Sequence, residues 1–439
     1  MSVQLSRRDF TSSVSQGQRL GKRNLRLEIQ MRLLMSLLDK IVHKGTLSVT
    51  APDGRVHHVG SGAPSVGIRI LDGSIIARLF LNPDMALGEA FMDGKLVVEN
   101  GDIYDFLDLI MANLGWRSGH WARIAFAAIR RIGRSAAQYN PVRVARANVA
   151  HHYNLSSELY ELFLDADRQY SCAYYISPDD TLERAQEQKK RHLAAKLLLR
   201  PHQRVLDIGS GWGGLALALA RYADVDVTGV TLSAEQLAYS QRSAANSQMA
   251  NNVRFLLKDY RHLEGQYDRI VSVGMFEHVG IGHYGEYFAR VRDLLADDGI
   301  AVIHTIGRAD GPGVANAWMD KYIFPGGYVP ALSEIVPAIE RAGLYITDIE
   351  VLRLHYAETL KAWRSRFNAN RDRVAKIYDA RFCRMWEFYL AASEASFRHG
   401  GLINFQIQLS KKVDVVPLCR DYIENIGHGQ AGHQTLSPA

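Results

Sequence analysis

The residues best suited to chemistry in this 439-residue sequence lie in one dense stretch, Arg204 to Leu217, which reads RVLDIGSGWGGLAL. Val205, Leu206 and Ile208 make a short apolar run of strand type, and Leu215, Leu217 and Leu219 open a helix. Between them Gly209, Gly211, Gly213 and Gly214 leave the backbone bare, so a ligand can lie against amide N–H groups at the start of that helix. Asp207 stands just ahead of the first glycine, where a carboxylate either faces a cationic ligand or orders the loop. Glycine spacing by itself does not discriminate, because several nucleotide folds share it. The acid before the first glycine narrows the choice.

Composition sets bounds. The length predicts two domains with ample chain for a large core. No run reaches the roughly 18 uninterrupted apolar residues of a spanning helix, and the N-terminal MSVQLSRRDF lacks the apolar core of a signal peptide. Cys172, Cys383 and Cys419 form no disulfide framework and no paired metal spacing, so no metal and a reducing cytoplasm are expected. The net charge of +6 suits nucleic acid, an anionic membrane surface or plain solubility. Two basic stretches alternate cations with apolar residues, Arg123 to Arg134 and Lys189 to Arg200. Each reads as an amphipathic surface helix, able to lie in a lipid interface or simply to face solvent.

The elements that must position the chemistry fall in two sets. Apolar residues at helical spacing over 24–42 predict an opening helix. From Gly45 the period becomes two: LSVT and RVHHV flank the turn Ala51-Pro52-Asp53-Gly54 as a hairpin, and VGIRIL and SIIARLFL read as two further strands. Leu87 to Leu114 reads as helix, short strand, helix. The expected organisation is an N-terminal α+β domain over 1–115, a basic helical connector over 116–150, an α/β domain over 151–426 and a frayed tail over 427–439. Strands near 204–208, 225–230, 253–257, 268–273, 299–305, 346–352 and 403–410 suit a doubly wound, mostly parallel seven-stranded sheet of Rossmann-like type. The crevice beyond its carboxyl ends would gather Gly209 to Gly214, Thr231 to Gln236, Asp259 to Arg261 and Gly274 to His278. No acid follows the second strand for a ribose, so Thr231 and Gln236, or Glu235, must serve.

The acid-and-glycine turn resembles the first motif of S-adenosylmethionine-dependent methyltransferases. The strings HYNLSSELYELFLD, YSCAYY, VLDIGSGWGGLA, VTLSAEQ, DRIVSVGMFEHVG, IHTIG, YIFPGGYVP and HYAETL, from His152 to about Lys412, resemble the cyclopropane-fatty-acyl-phospholipid synthases and the related mycolic acid cyclopropane synthases. The N-terminal LGEAFMDG is similar to the longer, phospholipid-acting bacterial branch. That resemblance implies methyl transfer from S-adenosylmethionine to the cis double bond of an unsaturated phospholipid acyl chain, with a bound bicarbonate as the base that completes ring closure. It implies a bicarbonate cradle at Cys172, Glu277, His304, Ile306 and Tyr356. Cofactor contacts fall on Tyr170, Ser171, Asp207, Gly209, Gly211, Trp212, Gly213, Thr231, Leu232, Gln236, Asp259, Tyr260 and Arg261. A cysteine that the family often carries in a Tyr-Leu-x-x-Cys context corresponds to Ser393, an active-site position without its thiol.

In such a site Glu277 accepts from the bicarbonate hydroxyl while His304 and Tyr356 donate to its other oxygens. Tyr174 and Tyr356 offer ring faces to a passing cation. The plainer readings are a buried thiol at Cys172, a core histidine at His304, a helix cap at Glu277-His278 and a packed phenol at Tyr356. YIFPGGYVP (Tyr322 to Pro330) is aromatic, glycine-hinged and uncharged, and reads as the mouth or lid of an acyl tunnel. The implied setting is cytoplasmic, peripheral at the inner face of a bacterial membrane, with an anionic surface as partner and a homodimer left open. A nucleic-acid methyltransferase is disfavoured, since neither an Asn- or Asp-Pro-Pro-aromatic motif nor a Pro-Cys nucleophile occurs. The alternatives are a lipid carrier without catalysis, or a variant leaving a methyl-branched or methylene chain.

Overall fold

Residues 25–115 and 155–424 are described by the structure, a computed structural model. The basic connector, the Arg123 to Arg134 stretch within it and the tail over 427–439 lie outside the described residues. Two compact units emerge, one of residues 1–115 with Ala380–Phe388 and one of 116–379 with 389–439.

In the first unit a helix over 25–39 precedes a four-stranded sheet. Its strands are β1 (Gly45–Thr50), β2 (Val56–Ser61), β3 (Ser65–Ile70) and β4 (Leu96–Asn100), in the order β2-β1-β3-β4. The β1–β2 hairpin pairs antiparallel across the expected turn, where Ala51 N donates to Arg55 O at 2.8 Å and Gly54 takes the left-handed backbone conformation. SIIARLFL is not a strand. Ser74–Leu81 is a helix that buries Ile75 and Ile76. Its apolar residues at 75, 76, 79 and 80 fall on one side of a 3.6-residue period, and the Asp72 carboxylate accepts from Ser74 N at 2.9 Å to start it. So short a run, broken only by Arg78, fits either period, and the burial of the adjacent pair Ile75 and Ile76 settles it as a helix.

The second unit is a seven-stranded sheet in the order β10-β11-β9-β8-β5-β6-β7. Its strands are β5 (Arg204–Ile208), β6 (Asp226–Thr231), β7 (Val253–Leu257), β8 (Tyr267–Val273), β9 (Leu295–Arg308), β10 (Tyr345–Leu352) and β11 (Leu402–Ser410). Strands β5 to β9 pair in parallel; β11 runs antiparallel to both β9 and β10. Alternating side chains supply two cores. Leu206, Ile208, Ile270, Ile303 and Phe405 pack under the helices Tyr284–Leu294 and Leu332–Arg341, while Val205, Val271 and Val302 pack under Leu182–Lys196 and Gly214–Ala223. Strand order reverses at β5, and there the carboxyl ends open a crevice.

Two sequence expectations are corrected in this unit. Lys189 to Lys196 is not an amphipathic surface helix: Lys189, Lys190, His192 and Lys196 are all buried. Lys196 Nζ meets Glu350 at 2.5 Å and Asp348 at 3.4 Å, and His192 Nε2 lies 2.6 Å from Glu350. Burial would raise the Glu350 carboxyl, but His192 and Lys196 hold it down at about 2. Cations in a helical pattern do not reveal where their counter-charges lie. Nor is YIFPGGYVP a hinged lid, because Tyr328 N donates to Glu277 O, the Tyr328 hydroxyl donates to Glu334, and Pro330 O accepts from Arg308 N. These anchors make it a packed wall beside Glu277.

Replacing Lys196 by Met should destabilise the second unit by roughly 3 kcal/mol or more, because the buried Asp348 and the half-buried Glu350 lose a shared, wholly buried cation. Thermal melting of the full-length variant checks this.

Candidate active site

The crevice at the reversal point is built by the turn after β5. Gly209, Gly211 and Gly213 all carry positive φ, a conformation that side chains strain to adopt. A Cβ added at Gly211 would meet nothing within 4 Å, so that position faces open space. One at Gly213 would meet Phe255 and Ser240, each at 2.7 Å. Gly213 is therefore corrected from a cofactor contact to a packing glycine beneath the turn, and it is absent from the cavity lining.

All other predicted cofactor residues line one cavity, to which Tyr170, Ser171 and Asp207 contribute from one side and Thr231, Leu232 and Gln236 from another. Thr231 Oγ1 donates to Gln236 Oε1 at 2.7 Å, tying the end of β6 to the next helix, while Glu235 is exposed. The buried Asp259 carboxylate takes Nε and Nη2 of Arg261 at 3.0 and 2.8 Å, a two-pronged pair that spends the guanidinium on the loop. Trp212 is buried, with the Arg168 guanidinium 5.0 Å above its ring.

Three buried polar atoms of this lining make no hydrogen bond among the described residues: Asp207 Oδ2, Ser210 Oγ and Trp212 Nε1. Burial pushes the Asp207 carboxyl up to about 7. Unsatisfied buried donors and acceptors are costly and call for a polar occupant. An adenosyl group with ribose hydroxyls, ring nitrogens and an amino-acid tail fits that donor set.

The predicted cradle residues lie in two groups. On the β8–β9 side Glu277 Oε1 accepts from Ile306 N at 2.6 Å, while Oε2 is buried and makes no hydrogen bond among the described residues. Burial raises the Glu277 carboxyl to about 7 against the pull of that backbone N–H. On the other side Ala173 N donates to Thr359 Oγ1, which fastens the Cys172 segment to the helix His355–Ala369 that carries Tyr356. Cys172 is a buried thiol donating to Ala173 O at 3.3 Å, and burial raises it far above the thiolate range. Aromatic rings surround this side: Tyr356 and Tyr170 both contact Trp363, at 5.7 and 5.1 Å, and the Tyr170 and Tyr389 hydroxyls share a bond of 2.8 Å. Ser393 stands one helical turn beyond Tyr389 on Ala380–His399, outside the cavity lining.

His304 is held from strand β11. Its ring nitrogens lie 3.3 Å from the Asn404 amide and 3.1 Å from the Gln406 amide, both on β11. Burial drives its basicity down to about 3, so it is neutral. A neutral imidazole has one acceptor nitrogen and one N–H, and both amides approach through their NH2 groups, so only one of them can donate to the ring and neither amide nitrogen takes up the ring N–H. His304 is thus a buried, neutral residue whose N–H is not spent on these amides, and its part as an anion donor remains an expectation.

Several site residues escaped the sequence reading. Asn404, Gln406 and Gln408 alternate along β11, all buried, and the N-x-Q-x-Q period was a legible signal. Arg168 and Gln169 also line the cavity, beside His278, which the expected crevice already included. No local signal marks the first two, which precede the YSCAYY string by only one or two residues. Among the described residues no group of three or more His, Cys, Asp or Glu side chains could hold a metal ion.

With this geometry in hand, comparison with known proteins is direct. Residues 142–407 match the family model described as mycolic acid cyclopropane synthetase, and residues 33–115 match a domain of unknown function. The chain is 38% identical over 356 residues to a cyclopropane-fatty-acyl-phospholipid synthase of Escherichia coli, covering 81% of this chain and 90% of that one. It is 40% identical over 282 residues to the tuberculostearic acid methyltransferase UfaA1 of Mycobacterium tuberculosis, covering 61% and 66%. A crystal structure of the mycolic acid cyclopropane synthase CmaA1 with SAH and CTAB superimposes with a TM-score of 0.58 at 32% identity, covering 62% of this chain and 99% of that one.

Two glycine substitutions separate binding from packing. Gly211→Val, facing open space, should abolish S-adenosylmethionine binding while costing about 1–3 kcal/mol of stability through its left-handed backbone alone. Gly213→Ala should instead lower stability by about 1–3 kcal/mol through overpacking and strain. Calorimetric binding beside thermal melting checks both.

Proposed function

The chain belongs to the mycolic acid cyclopropane synthetase family and is an S-adenosylmethionine-dependent methyltransferase of that type, and from this premise we propose that it methylates the cis double bond of phospholipid acyl chains and closes a cyclopropane ring. The observation that carries the reading is the buried Glu277 carboxylate, held by Ile306 N on one oxygen and unsatisfied on the other among the described residues.

When bound, S-adenosylmethionine supplies an electrophilic methyl group, and a bicarbonate held by Glu277, with Tyr356, would supply the base for the proton that ring closure must lose. The chain's own residues do the rest. An alkene offers no polar handle, so the aromatic and aliphatic walls must align it and keep water out. Tyr170 lines the cavity, and a cation that forms against its ring would gain about 0.5–2 kcal/mol. Cys172, un-ionised and bonded to its neighbour's carbonyl, contributes no thiolate that could be alkylated. Glu277 fixes the proton acceptor through its second oxygen.

A second reading has one observation behind it, the 40% identity to a tuberculostearic acid methyltransferase. On that reading the cation loses a proton from the chain and leaves a methyl-branched alkene, or takes a hydride from the methylated carbon and then loses a methyl proton, leaving a methylene chain. Ser393, where the family often has cysteine, leaves room for it. Mass spectrometry and proton NMR of lipids from an expressing host distinguish a ring from a branch.

We also assign the first unit to docking at an anionic membrane surface from the cytoplasmic side. Leu25, Ile29 and Leu33 form one row of its first helix, each more than half exposed. Among the described residues no helix is long and apolar enough to cross a membrane. Changing Ile29 and Leu33 to Asp should weaken sedimentation with phosphatidylglycerol vesicles by about tenfold or more, given roughly 1.5–3 kcal/mol per buried side chain. Equal sedimentation of variant and parent would remove this role.

Glu277 must be ionised to accept a hydrogen bond from bicarbonate, so turnover should rise as pH climbs through about 7. Ionising it opposes folding: the stability held below the ordinary carboxylate range is lost as pH rises through the same value. Glu277→Gln should lose turnover by roughly 10²-fold, the scale of general-base loss, together with this limb of the profile. Activity in degassed buffer should recover on adding bicarbonate. Assays of both proteins from pH 6 to 8.5 check the set.

A further inference from the structure

Lys189 is wholly buried on the helix Leu182–Lys196. Its Nζ donates to Gln169 Oε1 at 2.6 Å and to Ser171 Oγ at 2.9 Å. Gln186, three residues earlier and on the same helix face, donates Nε2 to the carbonyl oxygens of Gln169 (3.3 Å) and Ser171 (2.9 Å). Two side chains thus hold four acceptors within three consecutive residues. Those three residues wall the cofactor cavity, and the next in the chain is Cys172.

The charges around Lys189 come from several elements. Asp165 precedes the clamped segment, Asp207 lies on β5, Cys172 follows the clamp, His304 is on β9, and Lys190 is its neighbour on the helix. Burial pushes Lys189 down to about 8, so its charge is retained at neutral pH only against desolvation. A neutral donor would fasten the loop with less penalty. What the charge adds is its field at Asp207, where it is the one influence opposing burial, and Asp207 Oδ2 makes no hydrogen bond among the described residues.

We propose that Lys189, supported by Gln186, is a positioning residue for methyl transfer: it sets residues 169–172 against the cofactor and supplies the counter-charge for Asp207. The role rests on the cofactor lying in this cavity.

Binding of S-adenosylhomocysteine by the full-length protein, followed calorimetrically from pH 5.5 to 9.5, tests it; the ligand's own titration is common to all variants. In the parent, affinity falls on the acid side as Asp207 is protonated. Lys189→Met should move that limb up by about one pH unit or more, since an adjacent opposite charge is lost, and should weaken binding at pH 7.5 by about tenfold. Lys189→Arg keeps the charge and should leave the limb in place. Asp207→Asn should abolish the limb, and adding Lys189→Met to it should restore none. An even loss of affinity at every pH in Lys189→Met, with the limb unmoved, would reduce Lys189 to packing and overturn the proposal. If Lys189→Met does not fold, Lys189→Gln decides in its place: it keeps a donor for the clamped residues without the charge, so the acid limb should move up as in Lys189→Met, and an unmoved limb overturns the proposal. Undiminished affinity in Gly211→Val would remove the cofactor assignment itself. Lost affinity there with an unmoved limb in Lys189→Met removes only the role of Lys189.

Discussion

Three left-handed glycines within five residues, Gly209, Gly211 and Gly213, impose the constraint around which the second unit is arranged. They let β5 end and the next helix begin almost at once, so that backbone faces the crevice at the point where strand order reverses. The three have different duties. Gly211 leaves space for a ligand, Gly209 makes room for Met275, and Gly213 lets Phe255 and Ser240 close beneath the turn. The cavity and the core under it are thus shaped by the same few φ angles.

Around that turn the electrostatics follow from desolvation. Asp207 and Glu277 are both buried at carboxyl ends of strands, and burial lifts both toward neutrality. One has the field of Lys189 to oppose it; the other has a backbone N–H from β9. His304 shows the opposite outcome: wedged between two amides, it is kept neutral and fixed in orientation. Buried charges close to a reacting cation must be few and immobile, because each is strongly felt in a medium of low dielectric.

A polar layer on one sheet face supports this arrangement. Asn404, Gln406 and Gln408 of β11 meet His304 and the carbonyl of Lys196, and the Leu182–Lys196 helix returns Gln186 and Lys189 to the cofactor wall. One helix therefore contributes Leu193 to a hydrophobic core and its buried cations to two separate charge networks. Polar groups buried in such numbers fix orientation only when their partners are all in register.

The sequence by itself determined much of this. Seven strands of the large sheet were legible to within a few residues, since their apolar runs are short and bounded by glycine, proline or charge. The glycine turn, the Thr231–Gln236 link and the Glu277–Ile306 pair lie in strings whose types are tied to local backbone geometry. Tertiary structure alone decided the rest. Ser74–Leu81 became a helix because Ile75 and Ile76 bury against the first unit and Arg78 finds Glu89, eleven residues further along the chain. Lys189 and Lys196 went inside because Ser171, Asp348 and Glu350, 18 to 154 residues away in sequence, supply their partners. His304 is held by amides 100 and 102 residues further along the chain. A side chain's type and its neighbours in sequence set backbone conformation and local burial. Its protonation and bonding are set by whichever distant groups the packed sheet brings within 3 Å or so, and sequence spacing carries no record of that.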